Sequence, residues 1–352
     1  MTAALVTGGA GFIGSGLVHH LVLELGWKVV TVDKLTYAGR MENLDPVRDH
    51  PNHRLVKADI ADRGAMRQAF AEAKPDVVFH LAAESHVDRS IDNPAEFIET
   101  NIVGSYVLIE TALRMWRNLE GGAKEKFRFV HVSTDEVYGS LPPGAKFSET
   151  SPFQPNSPYA ASKAAADLLV RAWHRTYGFP GVITNCSNNY GPRQYPEKLI
   201  PLLILNLAEG RGLPVYGDGG QERDWLHVED HARALVRIAE AGRIGETYCI
   251  GGESDCANLD LVRKLCALFD QLRPESPWRP HASLIEHVAD RPGHDRRYAT
   301  DITRIKTELG WRPKWTLNDG LKATVAWYLA NRTWCASVAE GLAARDRRGV
   351  AP

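Results

Sequence analysis

Eight residues near the start of the chain, Thr7-Gly8-Gly9-Ala10-Gly11-Phe12-Ile13-Gly14, constrain the fold more than any others. They stand between a short apolar run, Ala3 to Thr7, and an amphipathic stretch, Ile13 to Leu25. A turn this rich in glycine lets a strand pass straight into a helix and brings bare backbone close to whatever lies above it. The first free amides of that helix and the positive end of its dipole face the same point, which suits the negative charge of a pyrophosphate. A glycine run with a strand before it and a helix after it is the fingerprint of a dinucleotide site on a parallel sheet.

The rest of the first half follows the same grammar. Val- and Ile-rich runs at Ala3 to Thr7, Lys28 to Asp33, Arg54 to Ala58, Val77 to Leu81, Phe127 to Ser133 and Val182 to Ser187 alternate with helical patterns. Those patterns lie at Ile13 to Leu25, Arg63 to Ala73, Pro94 to Trp116 and Pro158 to Tyr177. The alternation predicts an α/β fold, a Rossmann-type doubly wound parallel sheet. After about Asn188, Pro, Gly and charged residues become frequent and strands such as Leu213 to Tyr216 and Thr247 to Ile250 are short. Helical patterns recur there at Lys198 to Glu209, Val228 to Ala241, Leu259 to Leu272, Asp301 to Leu309 and Leu317 to Asn331. The expected organisation is a dinucleotide-binding domain over 1–187 that also carries the catalytic residues, then a smaller mixed substrate-binding region over 188–334, from which elements can return to the first domain. Residues 335–352 are Ala, Gly and Arg rich and read as a tail, either a loose helix or disordered.

Lys plus Arg number 42 and Asp plus Glu 43, so no global field points to nucleic acid or an anionic membrane, and any anionic ligand must be met by local groups. No apolar run approaches the length that spans a bilayer, and no targeting signal precedes the first strand. Cys186, Cys249, Cys256, Cys266 and Cys335 are odd in number and lack C-x-x-C spacing, which suits reduced thiols in a cytoplasmic protein. His227 and His231 stand four apart, but Val228 occupies the place where the zinc motif needs Glu, so no metal is expected.

Chemistry-bearing residues cluster at the carboxyl ends of the expected strands, where ligands bind in such folds. Asp33 closes the second strand, where a carboxylate accepts hydrogen bonds from ribose hydroxyls and repels a 2'-phosphate. NAD is thereby favoured over NADP, with Lys34 and Arg40 close by as the counter-argument. Asp59 ends the third strand and reads equally as an adenine contact or as a helix cap. Leu81-Ala82-Ala83 ends the fourth strand with small residues that let a nicotinamide ribose lie against the sheet. Ser133-Thr134-Asp135-Glu136 ends the fifth. Adjacent carboxylates in a cleft repel, and raising one pKa lets a proton donor and a proton acceptor coexist near neutrality. Tyr159 and Lys163 follow at i and i+4 on a helix, an ammonium beside a phenol, which is expected to favour the phenolate and so a base for an alcohol proton. Taken alone, Tyr159 and Lys163 read as a surface Tyr on a Lys stem, and Asp135 and Glu136 as a solvated turn. Their combination above a dinucleotide turn argues for hydride chemistry beside a proton donor and a proton acceptor at one site.

With these residues in view, the chain resembles the extended short-chain dehydrogenase/reductase family and, within it, the nucleoside-diphosphate-hexose 4,6-dehydratases. The resemblance covers roughly Ala4 to Tyr328. Thr7 to Gly14, His80 to Ser90, Ser133 to Gly139, Ser157 to Lys163, Asn188 to Pro192, Pro196 to Pro201, Arg223 to Trp225 and Asp290 to Asp295 carry it. It implies tightly bound NAD and a dTDP-hexose substrate, dTDP-glucose, that loses water while its C4 is transiently oxidised. Tyr159 and Lys163, with Thr134, would perform the redox step, and Asp135 as acid with Glu136 as base the elimination. It also implies cofactor contacts from Gly8, Gly11, Phe12, Ile13, Gly14, Asp33, Lys34, Leu35, Thr36, Asp59, Ile60, Leu81, Ala82, Ala83, Ser85, Thr100 and Asn189. Substrate contacts would come from Ser85, His86, Asn188, Lys198, Leu199, Pro214, Tyr216, Arg223, Asn258, Arg291 and His294. A homodimer is implied too, with Pro94 to Trp116 and Pro158 to Tyr177 pairing across a twofold axis. Arg193-Gln194, His227 and Cys256-Ala257 depart from the family's usual residues in substrate-side loops, which puts the nucleotide base in question more than the reaction. The alternatives are a UDP- or CDP-hexose dehydratase, a 4-epimerase, and a non-catalytic NAD-binding module.

Overall fold

A computed structural model describes residues 1–290 and 294–338. Its first six strands are β1 (Ala3–Thr7), β2 (Lys28–Asp33), β3 (His53–Lys57), β4 (Val77–His80), β5 (Arg128–Thr134) and β6 (Gly181–Cys186), all in one parallel sheet. β4 and β6 are buried at every residue, which explains why they read as continuous apolar runs and not as alternation. Successive residues of β1 feed opposite faces. Val6 packs with Leu17 and Val18 of the first helix and Leu21 of the π-helical turn that extends it, and Leu5 packs with Met66, Phe70 and Leu108 on the other side.

The second half adds β7 (Asn188–Tyr190), β8 (Leu213–Tyr216), β9 (Glu222–His227), β10 (Thr247–Ile250), β11 (Asp255–Ala257), β12 (Ile285–Val288) and β13 (Arg297–Tyr298). β10 leaves its sequence neighbours and pairs with β6, so the large sheet runs β10-β6-β5-β4-β1-β2-β3. The remaining strands form a small sheet in which β9 pairs with β7, β11 and β13, and a separate β8–β12 ladder. The doubly wound expectation is met, and strand order reverses between β1 and β4, the place where such sheets open a crevice at their carboxyl ends.

Helices α1 (Phe12–His19), α2 (Arg63–Ala73), α3 (Val87–Asp92), α4 (Pro94–Phe97), α5 (Ser105–Arg117), α6 (Gly121–Lys126) and α7 (Pro158–Tyr177) belong to the first half. The expected single helix from Pro94 to Trp116 widens in the middle into a π-helical stretch, Ile98–Gly104, which brings Thr100 to the crevice and Asn101 into its support. α7 starts cleanly because Ser157 accepts a hydrogen bond from the Ala160 amide at 3.1 Å and Pro158 fills the first turn; Gly178, at φ 68°, stops it. α8 (Leu199–Glu209), α9 (Val228–Ala241), α10 (Asn258–Leu272), α11 (Thr303–Leu309) and α12 (Leu317–Ala330) follow. α9 returns to pack on α1 against the large sheet, while α8, α10 and α12 enclose a second core around Leu203, Leu265, Phe269 and Val325.

Residues 332–338, partly within the expected tail, are helical, with Val338 fully buried. Trp334 Nε1 donates to Asn43 Oδ1 at 2.9 Å, and Asn43 Nδ2 donates to the Ala10 carbonyl in the glycine-rich turn at 2.8 Å. Residues 339–352, the rest of that tail, lie outside the described residues.

Candidate active site

A cleft of about 300 Å³ runs along the carboxyl ends of β1, β2, β4, β5 and β6. Gly8, Gly11, Phe12, Ile13 and Gly14 form its floor. The turn is possible only with glycine at two points: a Cβ at Gly8 (φ +71°) would stand 2.6 Å from the Ala82 amide, and one at Gly14 would stand 2.1 Å from the Gly8 carbonyl oxygen. α1 starts at Gly11 without a side-chain cap, which leaves its opening amides to a ligand. Asp33 is held at the edge by two amides, Ala10 N at 2.9 Å and Leu35 N at 2.8 Å; burial is the main cause raising its pKa, and those bonds oppose it. Bare backbone at the helix start and an anchored carboxylate at the end of β2 fit a dinucleotide with an unmodified ribose. The Lys34 ammonium, the sequence's counter-argument for a 2'-phosphate, is paired with Asp59 at 2.7 Å.

Thr36, Asp59, Ile60, Leu81, Ala82, Ala83, Ser85, Thr100 and Asn189 also line this cleft, as do Lys34 and Asp33. Leu35 does not line it and acts through its amide on Asp33. Asp59 accepts from the Ala61 amide at 2.9 Å, but the cap of α2 is Asp62, whose carboxylate takes the Gly64 and Ala65 amides.

The Thr134 side chain joins the two acid/base systems. Its hydroxyl accepts from the Glu136 amide at 3.2 Å, lies 3.4 Å from Asp135 Oδ1 and is near enough to the Tyr159 phenol to favour its ionised form. Thr134, Glu136, Tyr159 and Lys163 line the cleft, and Asp135, 1% exposed, sits just behind them. Burial pushes the Asp135 carboxyl well above the usual carboxylate range, and the charges of Glu136 and Asp224 push it further. The shift favours the protonated form of one member of the Asp-Glu pair, in the direction that repulsion between adjacent carboxylates gives.

Tyr159 departs from the expectation set by its spacing to Lys163. Burial holds the phenol well above its ordinary pKa, the Glu136 and Cys186 charges reinforce this, and the Thr134 hydroxyl opposes it. The lowering expected from Lys163 does not prevail, because desolvation dominates and the Lys163 ammonium donates to the Val132 carbonyl at 2.8 Å. Lys163 is itself desolvated, which lowers its pKa, and Asp167 opposes that shift.

On the substrate side Lys198 lines the cleft and donates to the Ser85 carbonyl at 2.8 Å; Asn188 also lines it, and Leu199 starts α8 behind them. His86 caps α3 and lies 3.8 Å from Glu197. Pro214, Tyr216, Arg223, Asn258 and His294 stand outside this cleft's walls, in the second half. Tyr216 meets the His294 ring edge-on at 5.9 Å, and the Asn258 amide donates to Gln221 O. Arg223 is 6% exposed, donates to the Glu222 and Asp295 carbonyls at 2.7 and 2.9 Å, and stacks over Tyr298 at 4.3 Å. Arg291 lies outside the described residues.

The sequence reading gave no site role to several residues in or beside the cleft. Glu197 accepts from Tyr37 at 3.1 Å and from Arg89 at 3.0 Å, and Tyr195 and Cys186 line the same walls, as does Gln194, already singled out as a substrate-side departure. Glu197 stands inside the Pro196 to Pro201 run and was recoverable from it. His227 caps α9, and His231 bonds to Asn189 Oδ1 at 2.8 Å, so each of these histidines has a structural task.

Comparison with known proteins agrees with this geometry. The family model described as GDP-mannose 4,6 dehydratase matches residues 5–324. dTDP-glucose 4,6-dehydratase of Neisseria meningitidis serogroup B is 54% identical and covers 99% of each chain. dTDP-glucose 4,6-dehydratase 1 of Escherichia coli K12 is 54% identical over 96% of this chain and 95% of its own. Among solved structures, the dTDP-glucose 4,6-dehydratase of Streptomyces venezuelae with NAD and dTDP bound superposes with a TM-score of 0.85 at 46% identity, covering 94% of this chain and 98% of its own. UDP-glucose 4-epimerase of Thermotoga maritima superposes at 0.81 with 31% identity, over 94% of this chain and 99% of its own. The chain belongs to the GDP-mannose 4,6-dehydratase family of extended short-chain dehydrogenase/reductases.

Proposed function

We propose that this chain is an NAD-dependent dTDP-glucose 4,6-dehydratase, a hydro-lyase that converts dTDP-glucose to dTDP-4-keto-6-deoxyglucose and water. The observation that carries the reading is the closeness of Tyr159, Asp135 and Glu136 to one Thr134 hydroxyl, with burial and the Glu136 charge pushing the Asp135 carboxyl upward. The full-length relatives at 54% identity support the same substrate. Bound NAD supplies the acceptor for the C4 hydride and the donor that later returns it to C6.

The residues of the chain handle the protons. Tyr159 takes the proton of the 4-hydroxyl as C4 is oxidised, and Thr134 orients that hydroxyl. Burial makes the Tyr159 phenolate scarce but a stronger base once formed, and the Lys163 ammonium is the nearby charge that favours it. A ketone at C4 acidifies C5, whose proton passes to Glu136. Asp135 gives its proton to the departing 6-hydroxyl, the C6–O bond breaks and water leaves. Glu136 then returns a proton to C5 as C6 is reduced; Tyr159 releases the 4-hydroxyl proton to solvent and Asp135 takes one back, so every group regains its starting state. A 4-epimerase oxidises C4 and returns the hydride to the same carbon with no loss of water, and Asp135, its pKa raised beside Glu136, serves the elimination that an epimerase lacks.

Two coarser readings accompany this one. No helix among the described residues is long and apolar enough to cross a membrane, and the five cysteines are free thiols, which supports a cytoplasmic enzyme. Ile98 at 48% and Leu168 at 52% exposure leave apolar side chains on the π-helical stretch and on α7, which supports a homodimer through those helices.

The deciding experiment incubates the protein with dTDP-, UDP- and CDP-glucose and follows the C6 methyl signal by NMR. It should grow with dTDP-glucose, and Tyr159→Phe should lose turnover while retaining NAD. A 4-epimer without a methyl signal would sink the dehydratase reading.

A further inference from the structure

Asp167 takes no part in the proton transfers above, yet it lies at their centre of gravity. It sits one turn beyond Lys163 on α7 and is 1% exposed. A carboxylate buried this deeply is unfavourable unless its lone pairs and charge are matched. Its Oδ2 accepts from Ser133 Oγ at 2.9 Å and from Asn185 Nδ2 at 3.1 Å. Its Oδ1 lies 3.1 Å from His131 Nε2, aligned too poorly for a hydrogen bond. His131 is held neutral by burial, so this contact brings no counter-charge. Burial pushes the Asp167 carboxyl up to about 7, and the Lys163 ammonium is the first group pulling it back, ahead of Ser133 and Asn185.

Each partner of Oδ2 leads to the elimination residues. Ser133 immediately precedes Thr134 on β5. Asn185 donates also to the Thr134 carbonyl at 3.1 Å and accepts from the Tyr138 phenol at 3.0 Å. Thr134 and Tyr138 bracket the short turn Asp135–Tyr138 that carries both catalytic carboxyls. On the other side, Lys163 shares the helix with Asp167 and ties it to β5 through the Val132 carbonyl.

We infer that Asp167 is a positioning residue for both halves of the reaction: it supplies the counter-charge of Lys163 and, through Ser133 and Asn185, fixes the Thr134 to Tyr138 segment. This rests on the dehydratase reading, and its test separates the two. Single turnovers of the NAD-loaded enzyme with dTDP-glucose are followed by NADH absorbance for C4 oxidation and by C5 deuterium uptake in D2O for elimination. Retained NAD and melting temperature are measured alongside.

Asp167→Asn keeps the shape and removes the charge. It should slow both steps about 10–100-fold, the scale of a small misplacement of reacting groups, with NAD still bound and KM little changed. Ser133→Ala keeps the charge and cuts one tie to the turn; it should slow C5 exchange several-fold and leave NADH formation within about twofold. A folded, NAD-loaded Asp167→Asn enzyme with both rates near wild type overturns the inference. So does a Ser133→Ala enzyme in which the two rates fall together, and this second variant decides the matter if Asp167→Asn does not fold. Wild-type enzyme that forms neither NADH nor methyl product defeats the dehydratase reading instead.

Discussion

Replacing Asp135 by Asn should separate what this carboxyl does for the reaction from what it costs the fold. Asp135 is 1% exposed, and burial, Glu136 and Asp224 all raise its pKa well above the usual range, which favours the protonated acid that the elimination calls for. Asn has the same outline and still meets the Thr134 and Thr300 hydroxyls, each 3.4 Å away, but it has no acidic proton for the departing 6-hydroxyl. General acid catalysis contributes about 10²–10⁴-fold, or ~3–5 kcal/mol of barrier. Elimination should fall by that factor while C4 oxidation continues, so stopped-flow absorbance should show NADH that forms and then persists. Stability should move the other way. The unfolded carboxyl ionises above about pH 4, while the folded one keeps its proton to a higher pH. Folding therefore takes up a proton, and this group's contribution to stability declines as pH rises from the unfolded value through the folded one. Asn carries no such cost, so the variant should gain roughly 0.5–2 kcal/mol at neutral pH in urea titrations and nothing below about pH 4. Methyl product at the wild-type rate, or a variant less stable than wild type at neutral pH, would refute the reasoning.

Two further outcomes are expected. Asp33→Ala strips the Ala10 and Leu35 amides of their acceptor, at about 1–3 kcal/mol each if water does not replace it, and should weaken NAD binding at least tenfold by calorimetry. An unchanged NAD affinity would remove Asp33 from the cofactor site. Leu168→Glu, which places a charge on the exposed face of α7, should turn a sedimenting dimer into a monomer with little loss of melting temperature; a monomeric wild-type protein at micromolar concentration would dispose of the dimer.

The centre of the large sheet could be read from the sequence because strands such as β4 and β6 are buried on both faces, and burial writes itself as unbroken runs such as Val77 to His80. β9 could not. Its sequence, Glu-Arg-Asp-Trp-Leu-His, carries charge at its first three positions, and it is a strand because Arg223 and Asp224 are satisfied by backbone far away in sequence. The raised pKa of Asp135 was foreseeable, since adjacent carboxylates at a strand end repel wherever the chain goes. The Tyr159 shift was not, because helical spacing tells which charges are close and nothing about how dry the site is. The π-helical widening at Ile98–Gly104 left no periodic trace either; it exists because Asn101 is drawn to Glu84 and Ser162.

The bond from Trp334 to Asn43 joins residues 291 apart, and Asn43 in turn grips the carbonyl of Ala10. The backing of the cofactor cradle is thus a long-range contact that no local segment can make for itself. A chain folding as it is made has the strand and helix around the glycine turn long before Trp334 arrives to brace them. Damage at Trp334 would therefore be felt at the Ala10 carbonyl, through Asn43, without touching any residue of the turn.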